Sequence, residues 1–308
     1  MTPDATAIEH AARVLRAGGL VAFPTETVYG LGADAANPDA LRRLFAVKGR
    51  PHDHPVIVHA ARTAQLDELG RDVSQVARAF GDAFWPGPLT LVVARRPGRV
   101  APEATGGRDT VGIRVPDHPV ALALLDAIGG GVAAPSANRF GRVSPTTAAH
   151  VRADLGSDVD LVIDGGPCAV GVESTIVDVT GPAPAVLRVG GVSEDRLAAI
   201  VGAPLARRTS GEVAAPGTLA AHYAPRARVE VVDRPDLAAR AEQLRAEGCS
   251  VGVLDAPADV AEYARILYAR LRELDERHVD VILATAPADN GDLGAAVADR
   301  LRRAAAAR

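Results

Sequence analysis

Short apolar runs alternate with amphipathic segments over the first 201 residues of the chain. Short runs rich in β-branched residues are typical of buried strands, and apolar positions recurring about every three to four residues indicate helices. Strands are predicted at 19–23, 56–59, 89–94, 111–115, 131–134, 160–163, 174–179 and 186–189. Helices are predicted at 38–47, 64–69, 73–84, 120–128, 146–155 and 193–201. This alternation predicts one mixed-sheet α/β domain.

Two of these helices carry a start signal, a capping side chain directly before a proline. Asn37 precedes Pro38, and Ser144 precedes Pro145. We therefore expect a helix to begin at each proline. Near Pro145, the exposed backbone N–H groups of a helix start would suit an anion.

The periodicity fades between residues 202 and 228, where Ala, Pro, Gly and Arg predominate. This composition predicts a linker. Beyond it, strands and helices alternate again to residue 308, which predicts a small parallel sheet, Rossmann-like in architecture. No GxGxxG motif follows its first strand, so nothing there indicates a dinucleotide. The predicted domains are residues 1–201 and 229–308, joined by the linker 202–228.

Composition narrows the class of protein. A length of 308 residues with 48% hydrophobic residues fits two packed domains, and the net charge of −4 without a basic run makes a broad nucleic-acid surface improbable. Any contact with RNA is expected to be weak and local. Cys168 and Cys249 lack disulfide or metal spacing, which favours a reducing compartment. No stretch of 18 apolar residues occurs, so we predict a cytoplasmic protein without a membrane segment.

Of the 34 basic residues, 33 are arginine, and the sole lysine is Lys48. Either this site needs a compact ammonium or one lysine has persisted by chance. Arg50 follows closely, and two such cations repel unless an anion such as a polyphosphate lies between them. The alternative is a solvated helix end. His52, His54 and His59 lie nearby, but they have no acidic or cysteine partner at metal-ligand spacing.

Hydroxyl and glycine residues follow the first predicted strand, in the segment PTETVYGLG. They suit capture of a small polar ligand at the end of a sheet, although an ordinary turn has the same composition. Arg114 lies within an apolar strand, so it either faces solvent or binds a carboxylate or phosphate in a pocket. Ser136, Asn138 and Ser144 are neutral donors of the kind that hold phosphate oxygens.

Several motifs occur together and in order: FPTETVYGLG, KGRPHDHPVIVH, WPGPLT, VGIRVPDHP, AAPSAN with a following SPT, and GVESTIVD. In this arrangement the chain resembles the YrdC-like family of L-threonylcarbamoyladenylate synthases. PGTLAAHYAP, followed by a small α/β region, resembles the linker and C-terminal domain of the long, two-domain form. The resemblance implies a twisted mixed-sheet domain, a linker covering the active site and a small Rossmann-like domain.

The resemblance implies a nucleotidyltransferase whose substrates are L-threonine, bicarbonate and ATP, with Mg²⁺ accompanying ATP. The threonine amine would form a carbamate, whose oxygen attacks the α-phosphorus of ATP and releases pyrophosphate. A separate threonylcarbamoyl transferase would then modify tRNA next to the anticodon. Such a reaction needs no protein nucleophile, and the sequence shows no nucleophile–base constellation.

Matching motifs imply a role for individual residues. Around threonine they place Thr27, His59, Arg114, Ala134 and Ser174. Around ATP they place Lys48, Arg50, His54, Thr110, Ser136, Ser144 and Arg188. Lys48 and Arg50 would assist catalysis electrostatically, and no side chain is predicted to bind a metal ion.

The sequence departs from the family pattern at three positions. His54 stands where the family usually has asparagine, and Leu219 and Ala220 stand where the linker usually has lysine and tyrosine. Two other functions remain open at this stage. One is a non-catalytic RNA-binding protein, and the other is an enzyme of different carbamoyl-transfer chemistry.

Overall fold

The computed structural model describes residues 4–208, 216, 223–288 and 291–306. Its helices are α1 Ala5–Arg16, α2 Pro38–Lys48, α3 Gln65–Leu69, α4 Gln75–Phe84, α5 Pro119–Ile128, α6 Ala148–Leu155, α7 Glu194–Val201, α8 Leu237–Ala246, α9 Val260–Glu276 and α10 Asp292–Ala305. Its strands are β1 Val21–Phe23, β2 Gly30–Asp34, β3 Ile57–His59, β4 Gly70–Arg71, β5 Leu89–Arg95, β6 Thr110–Arg114, β7 Val132–Ala133, β8 Leu161–Val162, β9 Thr175–Asp178, β10 Ala185–Arg188, β11 Ala206–Arg207, β12 Arg228–Val232, β13 Val251–Leu254 and β14 Val281–Thr285.

The first eleven strands form one mixed sheet in the order β11-β10-β9-β5-β6-β3-β7-β2-β1-β8, with β4 paired to β5 outside this path. All eight strands predicted for this region are present, and the mixed α/β architecture is confirmed. β3 and β6 run parallel, and β7 runs antiparallel beside β3. This arrangement brings His59, Arg114 and the residues after β7 to the middle of the sheet.

The sequence prediction missed β2, which pairs antiparallel with β1. The glycine content of β2 is typical of a loop, but in the structure these glycines allow neighbouring groups to pack closely. A Cβ added at Gly32 would lie 2.9 Å from a ring carbon of Phe23. The loop after β1 is therefore short, and Thr25 and Thr27 form a tight turn in which their hydroxyl oxygens lie 2.8 Å apart.

Of the two predicted helix starts, the one at Pro38 is confirmed, since Asn37 accepts hydrogen bonds from the first turn of α2. The start at Pro145 is wrong, because α6 begins at Ala148 and Thr147 caps it. Ser144 does not cap this helix; its hydroxyl donates to Glu173 instead. The prediction therefore placed a helix-start anion site where the chain is still irregular.

A second, three-stranded sheet is parallel throughout, as predicted, with the order β12-β14-β13. β14, the last strand in the chain, is the central strand of this sheet. The alternation of strands and helices in the sequence did not predict this order. α9 and α10 pack against this sheet, and Tyr268 of α9 belongs to a buried cluster that also includes Val28, Val143 and Val172 from the first domain. Apolar contacts thus join the C-terminal domain to the loops of the large sheet.

Two boundaries of the predicted linker differ from the observed elements. β11 pairs with β10, so the large sheet extends into the segment predicted as linker, and β12 begins at Arg228. Leu219, Ala220 and His222 lie outside the described residues. Within the described ranges, no helix is long and apolar enough to cross a lipid bilayer.

Candidate active site

A cavity opens at the middle of the large sheet and encloses about 650 Å³ between protein atoms, part of it open to solvent. Its wall combines the turn after β1, the ends of α2, β3 and β6, the segment after β7, and residues beside β9 and β10. Lys48, Arg50, Arg114 and Arg188 line it, whereas Glu173 is the carboxylate among the lining residues that the structure describes. The excess of positive charge favours an anionic ligand.

Lys48 and Arg50 lie at the C-terminal end of α2, and they are 2% and 7% exposed. The alternative of a solvated helix end is therefore wrong. Gly49, at φ 64°, ends the helix and turns the chain so that both cations line the cavity. Lys48 Nζ donates to the carbonyl oxygens of Ser136 and Asn138, at 2.5 and 2.6 Å.

The side chains of Lys48 and Arg50 are strongly desolvated. Burial, and next the Arg50 cation, hold the pKa of Lys48 well below its ordinary value. Burial lowers the pKa of Arg50 to about 10, which leaves the guanidinium charged at neutral pH. Arg50 also donates to the carbonyl oxygens of His54 and Pro55. An anion placed between the two cations would relieve both their repulsion and their desolvation.

Arg114 ends β6 and is buried in the wall beside His59, its partner in the β3–β6 register. Its Nη2 lies 2.7 Å from Oε1 of Glu26, and its Nε donates to the carbonyl oxygen of Gly87. Of the two alternatives for Arg114, the structure shows the buried one, with a carboxylate of the protein itself as partner. Burial, and next the Arg114 cation, lower the pKa of His59 to about 3, so this imidazole is neutral at pH 7.

Ser174 and Arg188 lie in contact with each other on the cavity wall. Ser174 precedes β9 and its hydroxyl oxygen lies 2.8 Å from that of Thr90. Arg188 ends β10 and donates to both the carbonyl and the hydroxyl oxygen of Ser174. Its Nη1 donates to the carbonyl oxygen of Pro216, at 2.9 Å. One guanidinium thus connects the sheet to the one linker residue described between positions 208 and 223.

The family described as "Telomere recombination", comprising Sua5, YciO and YrdC, matches residues 13–190, and "Threonylcarbamoyl-AMP synthase, C-terminal domain" matches residues 192–306. The chain belongs to the Sua5/YciO/YrdC family. The resemblance seen in the sequence is thereby confirmed.

Individual relatives of the Sua5/YciO/YrdC family match nearly the full length. Threonylcarbamoyl-AMP synthase of Pyrococcus abyssi is 43% identical, over 96% of this chain and 93% of its own. The enzyme of the same name from Bacillus subtilis is 39% identical, over 98% of this chain and 93% of its own. The crystal structure of P. abyssi Sua5 complexed with L-threonine has a TM-score of 0.93 at 41% identity, covering 98% of this chain and 95% of that one. Both domains therefore have counterparts in one relative.

Nine of the twelve residues that the family motifs predicted lie together on the cavity wall. These are Thr27, Lys48, Arg50, His59, Arg114, Ala134, Ser136, Ser174 and Arg188. His54, Thr110 and Ser144 are not among its described lining residues. His54 packs with its ring edge against Phe140, which does line the cavity, at 5.6 Å between centroids. Thr110 starts β6 and pairs with Ala94, and Ser144 lies behind Glu173.

Among the wall residues to which motif reasoning gave no role are Glu173, Phe140 and Tyr223. Glu173 had a visible signal, a charged residue inside the apolar segment before β9. Phe140 lies with its ring centroid 5.5 Å from the guanidinium carbon of Arg50, a cation–π contact that no sequence spacing reveals. Tyr223 reaches the cavity from the far end of the linker.

Proposed function

We propose that this chain synthesises threonylcarbamoyl-AMP from L-threonine, bicarbonate and ATP, with release of pyrophosphate. The observation that carries this proposal is one cavity whose wall bears four cations and nine residues of the family motifs. The relatives matched over both domains carry the name of this enzyme.

We assign the two sides of the cavity to different substrates. Lys48 and Arg50, together with Arg188, form a desolvated cationic wall suited to the phosphates of ATP. Arg114 and Ser174, with neutral His59 nearby, suit the carboxylate and hydroxyl of threonine. The threonine nitrogen then bonds to the carbon of bicarbonate with loss of water, and a carbamate oxygen attacks the α-phosphorus as pyrophosphate departs. The protein contributes position and charge stabilisation.

Mg²⁺ is proposed to enter with ATP, where it would offset charge on the phosphate oxygens. Among the residues that the structure describes, no group of three or more His, Cys, Asp or Glu side chains could hold a metal ion. The side chains that fit Mg-ATP are therefore the cations facing its phosphates. We further propose that the product is used in the cytoplasm by a threonylcarbamoyl transferase acting on tRNA next to the anticodon.

The test is pyrophosphate release by the purified full chain, measured with all three substrates and with each one omitted. The adenylate product is sought in parallel by mass spectrometry. Release that requires both threonine and bicarbonate, together with the product mass, is the expected result. ATP binding without such release would contradict the proposal. In that case, retention of RNA by the protein would favour the RNA-binding alternative, and threonine-independent use of carbamoyl compounds would favour other carbamoyl transfer.

A further inference from the structure

Glu173 lies on the cavity wall, but its hydrogen-bond partners come largely from the C-terminal domain. Tyr268 of α9 donates its hydroxyl to Oε2 at 2.8 Å, and Arg300 of α10 donates Nε to the same oxygen at 2.8 Å. Ser144 donates to Oε1 at 2.7 Å. Both carboxylate oxygens are thus engaged, and the carboxylate is held in one orientation.

Arg300 is fully buried, with 0% of its side chain exposed. Its second terminal nitrogen donates to the carbonyl oxygen of Val189, next to Arg188, and its guanidinium carbon lies 5.1 Å from the ring centroid of Tyr223. Tyr223 in turn stacks on Tyr268. One arginine of the C-terminal domain therefore contacts the wall carboxylate, the strand end bearing Arg188 and the tyrosine at the end of the linker.

A second arginine of the same domain holds the neighbouring loop. Arg272 of α9 donates to the carbonyl oxygen of Val143 and pairs with both carboxylate oxygens of Asp154 in α6. The loop bearing Ser144 is thus fixed from behind. α9 and α10 together hold Glu173 on the wall and the loop bearing Ser144 behind it.

The charge of Glu173 explains why these contacts matter for the cavity. Burial alone would raise the pKa of Glu173, but the Arg300 and Arg188 cations and the hydrogen bonds outweigh it and lower the pKa to about 2. The carboxylate is therefore ionised on a wall that must accept phosphates. Arg300 also pairs through Nη1 with Asp299, which has Arg303 as a second cationic partner. Without the Arg300 cation, the charge of Glu173 would repel ATP and draw Arg188 away from the ligand.

We propose that Arg300 and Tyr268 are positioning residues, which neutralise and orient Glu173 so that the cavity wall accepts the triphosphate of ATP. This inference rests on the proposed function. It gives the C-terminal domain a specific task, completion of the electrostatic surface of the ATP side, while the threonine side depends on the first domain.

The first experiment compares the full-length chain with Arg300→Met and the matched control Arg302→Met. Arg302 lies on the same helix, and its side chain is 72% exposed. We expect Arg300→Met to raise KM for ATP at least about tenfold, with KM for threonine changed less than about twofold. The control should leave both constants unchanged. Adding Glu173→Gln to Arg300→Met should restore most of the ATP affinity, because the uncompensated charge is then gone.

A second pair of variants separates the proposal from loss of stability. Tyr268→Phe removes the hydroxyl that contacts Glu173, whereas Tyr263→Phe on the same helix removes a buried hydroxyl that donates to the carbonyl oxygen of Thr285 within the C-terminal domain. Both should lower the unfolding temperature to a similar extent. Tyr268→Phe alone should weaken binding of a non-hydrolysable ATP analogue, by about threefold or more.

Equal changes in the constants for ATP and threonine, unaltered analogue binding in Tyr268→Phe, or no recovery in the double variant would each overturn the proposal. If Arg300→Met does not fold, the proposal is still tested by the ATP affinity of the double variant and by analogue binding in Tyr268→Phe compared with Tyr263→Phe. Analogue binding needs no turnover, so the inference can fail while the unaltered chain makes the adenylate. Conversely, absence of product from the unaltered chain would contradict the proposed function, whatever the variants do.

Discussion

Replacing Arg114 tests the threonine side of the cavity. The guanidinium is buried beside Glu26, and the two side chains are 4% and 7% exposed. Under the proposed function, Arg114→Ala removes a charged contact to the substrate carboxylate, worth about 1.5 to 3 kcal/mol. We therefore expect kcat/KM for threonine to fall roughly 10- to 150-fold. The same change leaves the Glu26 carboxylate buried without its cation, which should lower the free energy of unfolding by about 3 to 5 kcal/mol.

Because these two effects have different origins, a second substitution separates them. Adding Glu26→Gln to Arg114→Ala removes the uncompensated charge, so most of the stability should return while the threonine defect persists. Arg62→Ala, at an exposed surface ion pair, serves as the control. Pyrophosphate release is measured against threonine concentration at saturating ATP and bicarbonate, and stability by urea unfolding. A folded double variant with threonine dependence within about threefold of the unaltered chain would refute the assignment of Arg114.

Three further outcomes are expected. Binding of ATP should be accompanied by proton uptake, because burial and the neighbouring arginine depress the pKa of Lys48 and phosphate oxygens should raise it. Calorimetric heats of binding that do not depend on the ionisation enthalpy of the buffer would contradict this. His59 has a pKa of about 3 when folded against 6.5 ordinarily, so its contribution is complete above pH 6.5 and is lost as the pH falls towards 3. When the pH is lowered from about 6.5 to 4.5, the unfolding free energy of the unaltered chain should therefore fall by about 2 to 3 kcal/mol more than that of His59→Gln. Denaturant unfolding at the two pH values measures both losses. Arg272→Met should lower the unfolding free energy by about 3 kcal/mol, whereas Arg270→Met, at a partly exposed ion pair of the same helix, should change it by less than about 0.5 kcal/mol. Equal effects of the two substitutions would contradict a stabilising role for the buried Arg272–Asp154 pair.

The periodicity of the sequence predicted most of the fold because apolar runs record burial directly. It failed where local composition and tertiary environment conflict. Gly30 and Gly32 have loop-like composition, but both lie in β2, where Phe23 and the neighbouring strands leave little room for a side chain at Gly32. Ser144 resembles a helix cap, yet a carboxylate distant in sequence takes its hydroxyl.

For the candidate site, too, the sequence predicted some features and not others. Nine of the twelve residues predicted from the motifs lie on the wall, since each motif lies where a strand or helix ends. The partners of those residues were beyond prediction. Nothing in the sequence pairs Arg114 with Glu26, because residue type and spacing do not reveal which buried charges meet. Nor does spacing connect Glu173 to Arg300, 127 positions later.

The strand order of the second sheet bears on how the cavity is completed during synthesis. Within the described sheet, β12 and β13 each pair with β14 and not with each other. A ribosome makes β14 after both, and the helix bearing Arg300 after that. The strands that carry the predicted threonine ligands emerge much earlier. During translation, the part of the wall that we assign to the phosphates of ATP is therefore the last part of the cavity to be completed.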